Sequence, residues 1–589
     1  MTELLVVLVG GFLVIAAATL IAPRLRIASP LVLVAVGVGA SFIPLLGGIE
    51  IEPEWILAGI LPPLLYSAAV SMPAMNFRRE FGAISGLSVL LVVGTALLLG
   101  VFFLLVIPDL GFAWGVALGA IVSPTDAVAT SIIKRTPVSR RVVAILDGES
   151  LLNDATALVL LRTAIVATAA SFSFWGAVGT FAYSVVVAVV LGGLVGWLNL
   201  AVRRRVTDPT VNTVISFAVP FLAAVPAELL GASGLVAAVV AGLVTGIRAP
   251  RELSPQNRLS DTQNWRTVEL TLEGAVFLIM GLQISSIIAD VERDHSGVGP
   301  ALLVALGALL LTVLVRAAYV FPLLGVLAWR SRRNEQLQPR LEQMKATLDG
   351  PGGAQSAYEE LTAGRVRRGR RGVSGGRDGP AGRVSRADRA RPTSRRQLDQ
   401  FARRVTQGLA DIKYFLRQPL GWREGTVVVW AGMRGAVTVA AAQTLPEDTP
   451  QRSALVLIAF AVAALSLVVQ GGTVGPLVRR LSPQRAAAVE DAASVEESEL
   501  EAERTELFAL LRSCLEDIPE PPELRSGDRS PAVFDIAKRY RLQVLSAQRS
   551  ALLDARDNGT FDADILAEEL ANLDASEIAL EMRSRLPGS

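Results

Sequence analysis

The chain has 589 residues, of which 51% are hydrophobic and only 19% are charged, with a mean hydropathy of +0.47. The single cysteine, Cys514, excludes an intrachain disulfide, and the single histidine, His295, excludes a histidine-rich metal site or a histidine proton relay. Proton chemistry in this protein must therefore use carboxylates.

Apolar stretches of about 20 residues, long enough to cross a hydrocarbon core ~30 Å thick, recur along most of the chain. The sequence therefore predicts an all-α polytopic membrane protein with about thirteen transmembrane helices. The predicted spans are residues 4–22, 30–47, 54–72, 84–107, 112–133, 142–170, 175–202, 211–229, 232–247, 267–289, 300–329, 425–445 and 452–478.

Basic residues fall in every second gap between these spans, and the other gaps contain few of them. The basic gaps hold Arg24, Arg26, Arg78, Arg79, Lys134, Arg135, Arg140, Arg141, Arg203, Arg204, Arg205, Arg248, Arg251, Arg258 and the arginines of residues 330–423, with Arg479 and Arg480 after the last span. Short cytoplasmic loops carry an excess of Lys and Arg. We therefore predict a multi-pass protein of the plasma membrane with its N-terminus outside and its C-terminus in the cytoplasm.

Two segments are expected outside the bilayer. One lies between the membrane segments 1–330 and 424–480, and the other follows the second of them. Residues 331–423 form a basic loop whose middle, 365–396, is rich in Arg, Gly, Ser and Pro and has almost no large apolar residues, so we predict a largely disordered cytoplasmic segment. Residues 481–589 are charged and show helical periodicity, which predicts a small cytosolic helical tail.

The sixth predicted span contains Gly-Glu-Ser-Leu-Leu-Asn-Asp at residues 148–154. Residues four apart share a helix face, so Ser150 points with Asp154, and Glu149 points with Asn153. Asp154 lies roughly 18 Å of helix beyond the preceding basic loop, near the middle of the membrane. A carboxylate at that depth costs free energy and is by default a functional-site hypothesis. The alternatives are a structural polar residue or a charge near the start of the helix.

Two other predicted spans are interrupted. Ser-Pro-Thr-Asp at 123–126 breaks the fifth span, and Gly-Met-Arg-Gly at 432–435 breaks the twelfth. Discontinuous helices at corresponding positions of two inverted repeats are typical of transporter sites, although a simple proline kink is the alternative for the fifth span. Arg434 needs an anionic partner at this depth, and Glu149 is the natural candidate.

These three motifs resemble those of bacterial sodium/proton antiporters in the cation/proton antiporter family that includes the sodium/hydrogen exchangers. The resemblance covers about residues 1–480, with the motifs in the same order. It implies the sodium/proton antiporter fold with inverted repeats, a homodimer built on a dimerisation domain, and a six-helix core that works by alternating access.

The resemblance also implies roles for individual residues. Asp154 would carry the ion and the proton, with sodium held by Asp154, Asp126, Ser150 and Thr125. Glu149 would pair with Arg434 as a support, and Asn153 before the essential aspartate implies one-for-one, electroneutral exchange.

Other polar residues leave alternatives open. Ser67 stands where many relatives carry a glutamate, so a ligand or gate role for that acid is in doubt. Glu228 is either a solvated interfacial acid or a membrane-buried one. Arg162, two turns past Asp154, is interpreted as a structural counter-charge.

Glu269 and Glu273 share a face of the tenth predicted span, since they are four residues apart. They could gate an ion funnel or pair with Arg316, and the pattern favours the pairing.

The predicted function is secondary antiport of sodium or lithium against protons, serving intracellular pH and sodium homeostasis. Asp154 can be neutralised by a proton or by a sodium ion, and competition for this one site couples the two fluxes. We expect no enzymatic activity, no cofactor and no nucleic-acid partner, since the ions are cargo, and we expect contact with membrane lipids. A potassium/proton antiporter is the alternative within transport, and a cation channel or an antiporter-derived sensor is the alternative from another class.

Overall fold

The computed structural model describes residues 2–25, 27–43, 52–134, 136, 138–169, 174–294, 297–348, 350, 353, 395–481, 500–516, 518–519 and 531–583. Within these ranges the chain is helical and contains no strand, which confirms the predicted all-α class. His295 and nearly all of the arginine-rich segment 365–396 lie outside the described residues.

The first part of the chain forms eight α-helices with two π-helical turns. They are α1 (Thr2–Leu25), α2 (Ser29–Ser41), the π-turn Trp55–Ile60, α3 (Leu61–Ser71), α4 (Ala74–Ser85), the π-turn Gly86–Leu91, α5 (Val92–Val106), α6 (Phe112–Val122), α7 (Val128–Ile133) and α8 (Arg140–Ala169). The second π-turn joins α4 and α5 into one continuous 33-residue helix. The fourth span therefore begins about ten residues before the predicted start at residue 84.

The remaining helices follow with short connections. They are α9 (Phe174–Arg203), α10 (Pro209–Leu229), α11 (Gly234–Glu252), α12 (Pro255–Leu282), α13 (Ile284–Arg293), α14 (Val298–Glu335), α15 (Gln338–Leu348), α16 (Arg395–Arg417), α17 (Trp422–Trp430), α18 (Ala436–Gln443), α19 (Arg452–Ser466), the π-turn Leu467–Gly471, α20 (Gly472–Leu481), α21 (500–513), α22 (Pro531–Asn558) and α23 (Ala563–Arg583).

Among the described residues, nine helices are long and apolar enough to cross a membrane. Three shorter apolar helices, Ser29–Ser41, Trp55–Ser71 and Phe112–Val122, coincide with predicted spans. The predicted span 425–445 corresponds to α17 and α18, which are both short. The multi-pass architecture agrees with the prediction, and the count of thirteen spans stays a prediction.

Side-chain caps define the turns between α9 and α12. The Asp208 carboxylate accepts hydrogen bonds from the backbone N–H groups of Thr210 and Val211 at 2.8 and 3.0 Å, with Pro209 in the first turn of α10. Ser233 and Ser254 cap α11 and α12 in the same way. Each cap satisfies N–H groups that have no partner inside the helix, so the chain can reverse direction within a few residues.

Several apolar cores hold the membrane helices together, and two of them are large. One joins α5, α6 and α8 with α12–α14, α18 and α19, and the other joins α3 with α9–α12. Gly119 of α6 lies so close to the carbonyl oxygen of Ala96 in α5 that a Cβ atom would collide with it. Small residues at such crossings allow backbones to approach closely, as is usual between membrane helices.

The chain divides into two compact units. The described residues of Met1–Leu324, Leu420–Glu497 and Glu581–Ser589 belong to the first, and those of Gly325–Pro419 and Ser498–Leu580 to the second. Within the second unit, leucines of α21, α22 and α23 form an apolar core, as the helical periodicity of the tail predicts. The predicted four-part domain division stays a prediction, but α15 and α16 are helical within the loop that we expected to be largely disordered.

Candidate functional site

Two of the predicted spans are interrupted at the positions of their motifs. Helix α6 ends at Val122 and α7 begins at Val128, so residues 123–127 interrupt the helix. Helix α17 ends at Trp430 and α18 begins at Ala436, and the intervening residues are likewise not helical. Each break leaves backbone N–H and C=O groups without partners inside their own helix.

The two breaks contact each other directly. The backbone N–H of Asp126 donates a 2.8 Å hydrogen bond to the carbonyl oxygen of Met433. The carboxylate of Asp126 packs against Gly435, where a Cβ atom would collide with its Oδ2. Any side chain at position 435 would therefore displace Asp126, which explains why a glycine stands there.

Arg434 fills the crossing point and is 2% exposed. Its Nε donates to the carbonyl oxygen of Val122 at 2.9 Å, Nη2 donates to that of Ser123 at 3.3 Å, and Nη1 donates to that of Gly432. Its backbone N–H donates to the hydroxyl of Ser466 at 2.9 Å. The guanidinium thus satisfies carbonyl groups at the broken ends, where the C-terminal dipole of α6 also favours a cation.

The predicted pair between Glu149 and Arg434 is wrong. Glu149 instead forms a bidentate ion pair with Arg316 of α14, with Nη1–Oε1 and Nη2–Oε2 distances of 2.5 and 2.7 Å. Both side chains are buried, and Nε of Arg316 also donates to the carbonyl oxygen of Val428 at 2.9 Å. The Arg434 guanidinium instead donates its hydrogen bonds to three carbonyl oxygens at the two breaks.

Asn153 and Thr125 connect α8 to the first break. The amide Nδ2 of Asn153 donates to the carbonyl oxygen and to the hydroxyl Oγ1 of Thr125 at 2.8 and 2.7 Å. The Thr125 hydroxyl in turn donates to Oε1 of Glu149 at 3.0 Å. Asn153 and Glu149 are one helical turn apart, so one face of α8 fixes the position of Thr125.

Asp154 lies on the neighbouring face of α8 and has no hydrogen-bond or ion-pair partner among the described residues. Its carboxylate lines a cavity of about 10 Å³, close to the space of one water molecule, whose other walls are apolar side chains and Pro124. Asp126 is near enough for the two carboxylates to repel each other electrostatically. An ionised Asp154 is therefore costly unless a proton or a cation neutralises it.

The other predicted ligands point elsewhere in this conformation. The hydroxyl of Ser150 donates to the carbonyl oxygen of Asp147 in its own helix at 3.1 Å, and that of Thr125 is engaged by Asn153 and Glu149. The structure therefore brings Asp126 and Asp154 together, whereas Ser150 and Thr125 make other contacts. The ligand set of four stays a prediction.

The remaining polar residues also have definite places. Arg162 forms a 2.6 Å ion pair with Glu228, so Arg162 is a counter-charge as interpreted, and Glu228 is a partly exposed acid. Glu269 accepts a 3.2 Å hydrogen bond from the Ser67 hydroxyl. The favoured pairing of Glu269 or Glu273 with Arg316 is wrong, because Glu149 holds both terminal nitrogens of Arg316.

The sequence analysis named Arg316 only as a possible partner of Glu269 and Glu273 and missed its ion pair with Glu149. The available signal was a lone arginine in an apolar span, which must find an anion. Several acids could have supplied that anion, and only the packing of α14 beside α8 and α17 selects Glu149.

Comparison with known proteins identifies the family of the chain. The sequence profile of the family described as "Sodium/hydrogen exchanger, transmembrane" matches residues 11–338 and 402–480. An uncharacterised Na⁺/H⁺ exchanger of Mycobacterium tuberculosis is 26% identical over 98% of this chain and 96% of its own length. The "Sodium, potassium, lithium and rubidium/H(+) antiporter" of Bacillus subtilis is 30% identical over 45% of this chain and 41% of its own length.

The fold has a solved counterpart. The structure of the sodium proton antiporter MjNhaP1 from Methanocaldococcus jannaschii aligns with a TM-score of 0.53 at 16% identity and covers 81% of this chain and 99% of its own. This likeness shows the fold.

Proposed function

The chain belongs to the sodium/hydrogen exchanger family and is a cation/proton antiporter, and from that premise we propose that it exchanges sodium or lithium for protons, one for one, at Asp154. The transport cycle alternates between two states of the core around Asp154. The proton gradient then drives extrusion of the other cation, which serves intracellular pH and sodium homeostasis.

One observation carries this proposal: in the part of the chain that the structure describes, Asp154 is a carboxylate without a partner, which lines an apolar pocket and is repelled by the carboxylate of Asp126. The neighbouring carboxylate of Glu149, by contrast, is fully occupied by Arg316 and Thr125. Among the described residues Asp154 thus lacks the built-in counter-charge that Glu149 has, and a transported ion can supply one.

Proton and cation compete because they neutralise the same charge. A proton makes Asp154 neutral by covalent attachment, and a sodium ion does so by coordination to oxygen ligands, which small hard cations prefer. Asp126 supplies a second carboxylate, and Ser150 and Thr125 supply hydroxyls once they rotate from their present contacts. Since both cargoes cannot occupy Asp154 together, each movement carries one or the other.

Asn153 supports the one-for-one stoichiometry. Its amide donates two hydrogen bonds to Thr125, so this position holds the first break in place and carries no titratable group. One carrier aspartate per site then gives electroneutral exchange.

The network around the crossing has a supporting function. Arg434 binds the carbonyl groups of both breaks, and Glu149 with Arg316 ties α8 to α14. These contacts stabilise irregular backbone at membrane depth, which is tolerated only where protein buries it or where it lines a cavity. We further propose a homodimer in the plasma membrane, with the N-terminus outside and the C-terminus in the cytoplasm.

Everted vesicles from cells that lack other antiporters provide the test. Respiration acidifies the vesicle interior, and addition of NaCl or LiCl should dissipate the pH gradient only when the protein is present. In liposomes, an imposed membrane potential should not change the rate of exchange. A clear acceleration by that potential would mean unequal stoichiometry, with Asp126 carrying a second charge.

Potassium is the second candidate cargo. The Bacillus subtilis relative is named for exchange of sodium, potassium, lithium and rubidium, so broad selectivity occurs at 30% identity. Equal dissipation by KCl and NaCl in the same vesicles would replace the sodium-specific proposal by a broad monovalent-cation antiporter.

A further inference from the structure

The first residue after α12 and the last residue of α18 are joined by a side-chain hydrogen bond. Nε2 of Gln283 donates to Oε1 of Gln443 at 3.3 Å, and Gln283 is 5% exposed. Helix α18 begins at the second break, so this bond connects α12 to an interrupted helix. Both groups are neutral amides, and neither belongs to the ion site described above.

Gln283 is fixed to α2 through α12. Gly37 of α2 faces Gly281 of α12, and a Cβ atom on either glycine would collide with a carbonyl oxygen of the other helix. Facing glycines of this kind let two membrane helices pack backbone against backbone. The end of α12, with the residue that follows it, is therefore held on α2.

Gln443 is fixed to α19. Arg452, the first residue of α19, donates from Nη2 to the carbonyl oxygen of Gln443 and from Nε to that of Leu445, both at 2.8 Å. These bonds satisfy carbonyl groups at the C-terminus of α18, which have no partner inside the helix. The hydrogen bond between the two glutamines therefore joins one group of helices, α2 with α12, to another, α18 with α19.

Toward the opposite end of the same helices there is open space. A cavity of about 540 Å³ is lined by α1, α2 and α12 together with α7, which follows the first break, and α20, which continues α19 through a π-turn. Its lining includes Thr136 and Arg479, which lie in basic gaps of the sequence. Gln283 and Gln443 instead lie near the gaps that contain residues 290–294 and 447–448, where acids outnumber basic residues. The helix groups are thus in contact toward the acidic gaps and enclose a cavity toward the basic ones.

We propose that the hydrogen bond between Gln283 and Gln443 is a latch, which holds the acidic-gap end closed in the state that has the cavity at the basic-gap end. The inference rests on the antiport proposed above and names a contact that must break before the other state of the core can form. In that other state α18 and α19 have moved away from α12 and α2, the cavity is closed, and water hydrates both amides.

The latch acts on the balance between the two states. While it is closed, Gln283 is buried and has the Gln443 amide as its partner, so removal of that amide leaves a buried polar group unpaired. In the other state water hydrates Gln283, and no such cost arises. A variant without the latch should therefore populate the other state more often.

The first test links the two positions covalently. Cys514, the single cysteine of the chain, is replaced by alanine, and Gln283→Cys and Gln443→Cys are added. A short, membrane-permeant bis-methanethiosulfonate reagent joins the two thiols, and sodium-dependent exchange is measured in everted vesicles before and after linking. Exchange should be lost on linking and should return when a reductant releases the link.

The matched control links two positions within one group of helices. Nε2 of Gln451, just before α19, donates to the carbonyl oxygen of Pro108, between α5 and α6, at 3.2 Å, and α6 and α19 share an apolar core. Gln451→Cys with Pro108→Cys, also in Cys514→Ala, should keep its exchange after linking. Equal loss of exchange in both linked pairs overturns the inference, and so does exchange that persists in the linked latch pair.

A second variant keeps the result decisive if the latch pair does not accumulate or does not link. Gln443→Leu removes one amide without any reagent, and Ser453→Cys reports opening, because Ser453 adjoins Arg452 and is buried. Maleimide labelling of that cysteine, in Cys514→Ala, should become about two- to tenfold faster in Gln443→Leu, which corresponds to the loss of one buried hydrogen bond.

An unchanged labelling rate in Gln443→Leu overturns the inference. Absence of cation-dependent exchange in the wild type would instead overturn the antiport proposal itself, so the two failures are distinguishable.

Discussion

Two of the regions in which the described residues bury an arginine against a carboxylate have different surroundings, and only the first contains interrupted helices. In the first, Arg316 of α14 pairs with Glu149 of α8. In the second, Arg203 at the end of α9 pairs with Asp261 of α12 at 2.7 Å, and its Nε donates to Asn212 at 2.5 Å. The arginines are 1% and 0% exposed, so the cost of burying the charge is similar in both.

The backbone around the two pairs differs. Near Arg316 two helices are interrupted, their breaks are joined by a hydrogen bond, and Asp154 has no partner among the described residues. Near Arg203 the helices α9, α10 and α12 run through without a break, and Trp265 packs there with its indole N–H on Ser216. A buried ion pair is therefore common to both regions, whereas the unpaired carboxylate beside irregular backbone, at which we propose transport, is found near Arg316.

The largest expected effect comes from the unpaired carboxylate. Asp154→Asn should abolish exchange, because the amide removes the titratable charge at nearly unchanged volume. Expression and thermal stability in detergent should stay at the wild-type level. The matched control is Asp147→Asn on the same helix, where the carboxylate already pairs with Lys134 at 2.9 Å and exchange should persist. If Asp154→Asn kept even a modest fraction of wild-type exchange, the carrier would have to be another residue, with Asp126 next in line.

The second-largest effect is expected from loss of the Glu149–Arg316 pair, which should lower both stability and exchange. Glu149→Ala and Arg316→Ala should each cost about 3–5 kcal/mol, because each strands a buried charge, and the double variant should be less impaired than the sum. Thermal unfolding of the wild type and the three variants completes the double-mutant cycle. Additive losses would contradict the pairing.

The Arg203–Asp261 pair tests the region in which the helices are not interrupted. Arg203→Ala should also cost about 3–5 kcal/mol, since Asp261 would be left buried without its cation. Exchange per folded molecule should nevertheless stay near the wild-type value, because the hydrogen bonds and the ion pair that Arg203 makes with described residues go to Asn212 and Asp261 and not to Asp154 or the two breaks. Transport normalised to folded protein, measured beside Arg316→Ala, gives the comparison directly. Equal loss of normalised exchange in both variants would remove the distinction between the two regions.

The sequence predicts this fold well where one residue determines the local geometry. Pro124 and the glycines around Arg434 predict both helix breaks, and the depth of Asp154 in its span predicts a functional carboxylate. Partners were predicted less well. Glu149 could pair with either of two buried arginines. The spacing along the chain does not show that Arg434 donates to carbonyl groups of the breaks, or that Arg316 of α14 lies next to Glu149.

The smallest effect is expected at a third ion pair, between Arg162 of α8 and Glu228 of α10, whose side chains are 61% and 40% exposed. Exposed pairs contribute about 0–1 kcal/mol, since water already solvates both charges and the side chains lose freedom when they pair. Glu228→Gln keeps an oxygen that can accept the 3.0 Å hydrogen bond from the backbone N–H of Gly234, so this change isolates the charge. Thermal stability in detergent should fall by at most about 1 kcal/mol, and less at high salt. A loss as large as that of Arg203→Ala would mean that the pair is desolvated, and exposure would then no longer separate the three ion pairs of this comparison.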